Sequence, residues 1–74
     1  MLQKKILEIV ENQIRENNPK ETKETLIRLR NLGYNRQDAL QKIGTVVEEE
    51  IYDVLKHKEK FNKERFIRKL FTLK

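Results

Sequence analysis

The sequence predicts an all-α protein of four helices, and three observations predict it. First, the stretch from Arg36 to His57 contains no proline and only one glycine, Gly44. Second, Leu40, Ile43, Val47, Ile51 and Val54 recur along it at three- and four-residue steps, which a helix gathers on one side. Third, no segment alternates apolar and polar residues as a half-buried strand does. At about 1.5 Å per residue the long stretch extends roughly 33 Å. A globule of this chain length is only about 30 Å across. One helix therefore runs the length of the molecule and the others pack around it.

The first helix is expected over residues 2–16, where Leu2, Ile6, Ile9, Val10 and Ile14 form an apolar stripe. Gln13 falls within that stripe, so its amide needs hydrogen-bond partners if it is buried. The reading expected for Gln13 is a satisfied core or interface glutamine, with a ligand contact as the alternative. Asn17-Asn18-Pro19-Lys20-Glu21 closes this helix and opens the next. Here Asn18 is the expected N-cap, Pro19 the first helical residue and Glu21 the partner in a capping box. Thr22, Leu26, Leu29 and Leu32 form the seam of the second helix, and Gly33 supplies the left-handed residue that ends it. Tyr34 then folds back on the last turn, and the short connection makes helices one and two an antiparallel hairpin.

Asn35 caps the long helix, with Asp38 in its first turn set favourably against the helix dipole. The apolar residues of this helix spread over about half its circumference, from Val46 round to Leu55. A stripe that wide demands several neighbours, in this chain or in a second copy. Gly44 lies near one edge of it, and an interior glycine costs roughly 1 kcal/mol relative to alanine. A close helix crossing or a local bend accounts for its presence. After His57, Phe61-Asn62-Lys63-Glu64-Arg65-Phe66 reads as a hydrophobic staple, with Phe61 meeting Phe66 across the Asn62 cap. The fourth helix spans Lys63 to Leu73, and its apolar load of Phe66, Ile67, Leu70, Phe71 and Leu73 requires it to dock.

Seventy-four residues make a single domain, residues 1–74, close to the size where one core barely suffices. The absence of cysteine removes disulfides and thiolate chemistry, and a single histidine leaves no Cys₂His₂ zinc site. No apolar run reaches the length of a membrane span and no signal region is evident, so the expected location is the cytoplasm. The charge is uneven. Residues 36–55 carry two basic and five acidic side chains, whereas residues 56–74 carry eight basic and two acidic ones. Lys56, Lys58, Lys60, Lys63, Arg68 and Lys69 are the candidate basic patch, able to attract nucleic acid or an acidic partner. A solvated helix face that keeps the protein soluble is the simpler reading.

Chemistry finds little purchase. The three carboxylates of Glu48-Glu49-Glu50 point about 100° apart and cannot converge on one ion. Glu50 alone falls inside the apolar arc, with His57 two turns later on nearly the same line. The pair is the candidate for a metal or small-ligand site. An ion pair between Glu50 and Arg65, Arg68 or Lys69 is the preferred alternative. There is no serine or cysteine nucleophile, no glycine-rich phosphate loop and no second histidine, so neither an enzyme nor a metal or other cofactor is expected. The Leu32-Gly33-Tyr34-Asn35 turn invites comparison with a DNA-binding helix-turn-helix, but the acidic block in the middle of the following helix would repel phosphates.

Several motifs recur in order over most of the chain. They are Glu11-Asn12-Gln13, Leu32-Gly33-Tyr34 leading to Asp38-Ala39-Leu40 and Ile43-Gly44, Glu49-Glu50-Ile51-Tyr52-Asp53-Val54-Leu55, and Phe61 to Phe66. In these the sequence resembles a bacterial and archaeal family of small helical proteins, a domain of unknown function. Many members of that family carry histidines in the first helix and at the start of the long one. The matching positions here are Gln3, Leu7, Gln37 and Gln41. The resemblance therefore implies a helical fold and no histidine-dependent activity.

The resulting expectation is a protein–protein interaction or self-associating module, most simply a homodimer packed across a two-fold axis. Its candidate interface is Leu40, Ile43, Val47, Ile51, Val54, Leu55, Phe66 and Leu70.

Overall fold

Four helices follow in chain order in the computed structural model, which describes residues 4–74: α1 (Lys4–Glu16), α2 (Lys20–Asn31), α3 (Arg36–His57) and α4 (Lys63–Phe71). No strand occurs among the described residues. Leu2 and Gln3 lie outside them. α1 and α2 form a hairpin that packs on α3, and α4 packs on α2 and α3. Arg36 at the start of α3 pairs with Glu11, just past the middle of α1, at 2.6 and 3.1 Å. The molecule measures 36 × 24 × 23 Å, its long dimension close to the roughly 33 Å length of α3.

Capping chemistry sets most of the boundaries. At the end of α2 the Gly33 amide donates to the Arg30 carbonyl and the Tyr34 amide to that of Leu29. These are the two bonds of a Schellman motif, with Gly33 at φ 108°. The Asn35 and Asn62 side chains accept from the amides of Asp38 and Arg65, satisfying donors that the first turns of α3 and α4 leave free. The rings of Phe61 and Phe66 meet at a centroid distance of 5.6 Å, completing the staple.

The α1–α2 junction departs from expectation. Asn17, not a glycine, takes the left-handed conformation (φ 53°), and the amides of Asn17 and Asn18 donate to the carbonyls of Ile14 and Gln13. This is a second Schellman motif, and it commits Asn18 to ending α1. Pro19 occupies the cap position of α2 behind a cis peptide bond, and no side chain caps that helix. The expected Asn18 cap is therefore not formed. Two further ends are trimmed: Leu32 is an exposed cap residue rather than part of the seam, and α4 stops at Phe71.

The core joins Ile6 and Val10 of α1, Leu26 and Leu29 of α2, Ala39, Leu40, Ile43, Val46 and Val47 of α3, and Phe66 and Leu70 of α4. Gly44 is buried among the α3 residues. Removing a large side chain such as Phe66 or Leu70 from water contributes about 1.5–3 kcal/mol each, which is what docks so short a helix as α4.

Candidate functional site

The candidate polar residues separate into unrelated settings. Gln13 accepts a 2.9 Å hydrogen bond on Oε1 from the buried Thr22 hydroxyl, tying α1 to α2 near their junction. Its amide is thus part of the hairpin's own structure. Glu50 is 1% exposed, and Arg65 grips it with Nε at 2.9 Å from Oε1 and Nη2 at 3.0 Å from Oε2. Lys69 adds Nζ at 3.4 Å from Glu50, 3.4 Å from Glu49 and 3.7 Å from Asp53, and Arg65 reaches Glu59 at 3.2 Å. The hydrogen bonds from Arg65, followed by those from Lys69, hold the Glu50 carboxyl below its ordinary range although burial opposes this. Burial pulls the Lys69 ammonium down, but Glu50 and Glu49 together carry it above its ordinary value. The arrangement is a structural ion-pair network that fastens α4 to α3. Of the expected partners, Arg65 and Lys69 take the role and Arg68 is exposed.

His57 stands exposed in the last turn of α3 while both Glu50 oxygens are engaged by cations. Among the described residues no group of three or more His, Cys, Asp or Glu side chains is placed to hold a metal ion. The basic patch is dispersed. Lys69 is committed to α3 carboxylates, and Lys56 lies with Nζ 5.3 Å from the Tyr52 ring centroid. Lys58 is the left-handed cap of α3. Lys60 sits in the connection to α4, and Lys63 and Arg68, five residues apart on one helix, point about 140° apart.

One contact was hidden from sequence reasoning. The Arg28 guanidinium of α2 reaches across to the end of α4 and donates to the carbonyls of Leu70 (2.8 Å) and Leu73. It supplies partners that the last turn of a helix lacks. Tyr34 adds a 2.8 Å bond from its hydroxyl to the Lys74 carbonyl. The place of Arg28 next to Leu29 in the leucine seam is the only sequence-level hint, and it does not say which helix is reached.

The candidate interface residues divide sharply. Leu40, Ile43, Val47, Phe66 and Leu70 are buried in the chain's own core and so are withdrawn from any surface. Val54 is half-buried, whereas Ile51 is 37% and Leu55 74% exposed. The row Leu40, Gly44, Val47, Ile51, Leu55 follows one line down α3, and its first three members are covered. Of the two expected ways to cover the stripe, neighbours in this chain serve its first part and leave the last two turns bare. The reason is length: α3 has 22 residues, whereas α2 has 12 and α4 has 9. Beside the bare row, Glu48, Glu49, Tyr52, Asp53 and Lys69 line an open cleft of about 470 Å³ between α3 and α4, with Tyr52 itself 58% exposed.

Fold and surface together define a small four-helix protein that carries, at one end of its longest helix, an apolar face the chain leaves open. Set against protein-family models, curated proteins and solved structures, this chain matches none. Among the described residues no helix is long and apolar enough to cross a membrane.

Proposed function

We propose that this chain is a non-catalytic interaction module of the cytoplasm that self-associates through the bare end of α3. The observation that carries the reading is the continuation of a core-forming row into solvent at Ile51 and Leu55. A residue placed like Leu40 and Val47 on the same helix line, but left wet, gains stability only when another surface covers it. The resemblance to the small helical family of unknown function belongs to this reading as an expectation and adds no chemistry.

Sedimentation analysis of the wild type and of Leu55→Asp tests it. The apparent mass of the wild type is expected to rise from one chain towards two between micromolar and millimolar concentration. Leu55→Asp is expected to stay at one chain and keep its helical signal, with only a slightly lower melting temperature in dilute solution, because the side chain it replaces is already in water and the cost is that of a carboxylate near a helix C-terminus. A wild type that keeps the mass of one chain throughout would overturn the reading.

A further inference from the structure

Charges border the bare row at both ends, and their spacing is symmetric. Glu48 precedes Ile51 by three residues and Lys58 follows Leu55 by three. At about 100° per residue Glu48, Ile51 and Leu55 fall within an arc of about 60° on α3, and Lys58 is the left-handed cap one residue past its end. Neither Glu48 nor Lys58 enters an ion pair among the described residues, although their neighbours Glu49, Glu50, Asp53 and Glu59 all do.

Resting on the self-association proposed above, we infer that two copies of the chain pair through antiparallel α3 ends, with Ile51 against the second copy's Leu55 and Glu48 against its Lys58. A two-fold axis beside residue 53 produces this register, because it brings each residue opposite the one equally far on the other side of position 53. The apolar pair and the ion pair then each form twice, as an isologous contact requires. A parallel arrangement would set Glu48 against Glu48 and Lys58 against Lys58, so the same two residues that favour one orientation oppose the other. The apolar contact supplies the affinity, and the charges select the orientation and the partner.

Charge reversal tests the register. Glu48→Lys and Lys58→Glu each turn two attractions into two repulsions and are expected to weaken the dimer by about tenfold. An equimolar mixture of the two variants restores both ion pairs in the mixed dimer, so native mass spectrometry should find mainly the heterodimer. The double variant Glu48→Lys/Lys58→Glu restores them within one sequence and is expected to dimerise within about threefold of the wild type. The differences should shrink in about 1 M salt, where exposed pairs are screened. If the wild type dimerises but the single variants do so equally well and the mixture shows no preference for the heterodimer, the register is wrong while self-association stands. If the wild type itself remains a single chain, both proposals fall.

Discussion

Glu50 is the residue on which the attachment of α4 most directly turns. Its carboxyl is held below its ordinary pKa of about 4.5, so it stabilises the fold fully at pH values above the unfolded carboxylate range. That contribution is lost as pH falls through the depressed native value. Glu50→Gln removes this proton linkage. Urea melts over a pH series should therefore show the wild type and the variant furthest apart near neutrality and converging below about pH 4.5. Parallel profiles would refute the role given to Glu50. Two backbone positions make opposite predictions. Gly33 sits at φ 108° with open space around it, so Gly33→Ala meets no clash and pays only backbone strain, about 1–2 kcal/mol. Asn17, at φ 53°, already tolerates the left-handed region, and Asn17→Gly should raise stability by about 0.5 kcal/mol. Thermal melts of both variants measure these shifts, and a stabilised Gly33→Ala would contradict the first.

At the scale of elements, what the sequence made legible was local. Gly33, Asn35, Asn62 and the Phe61–Phe66 staple act within one turn of where they stand, so their chemistry can be read without knowing the tertiary arrangement. Asn18 misled because two consecutive asparagines serve equally well as an ending or a beginning, and the closure of α1 claimed both. The bare end of α3 was not legible either. Periodicity identifies which face of a helix is apolar but not how far its neighbours reach along it, and Leu55 has the same pattern as the buried Val47. Arg28 belongs to the same class, since its acceptors lie more than forty residues away. Arg28→Met should keep the aliphatic packing while removing the donors to the end of α4. The expected cost is about 1–2 kcal/mol, and amide exchange should accelerate selectively over Phe66–Leu73. Uniform acceleration across all four helices would show that Arg28 serves the whole core rather than that end.

For the whole molecule, the chain relies on one shared core without a disulfide, so each docking contact is a large fraction of a stability of only a few kcal/mol. Phe66→Ala, which removes a fully buried ring, is expected to cost about 3–5 kcal/mol and to leave little folded protein at room temperature, measurable as a collapse of the helical circular dichroism signal. The two fastenings of α4 differ in one respect that matters in acid. At its start, Arg65 holds the Glu50 carboxylate, which loses its charge only as pH falls through its depressed native value. At its finish, Arg28 holds backbone carbonyls, which do not titrate. Acidification through that depressed value should therefore loosen the last helix at its front edge while its rear stays pinned, like a door swinging on a single hinge.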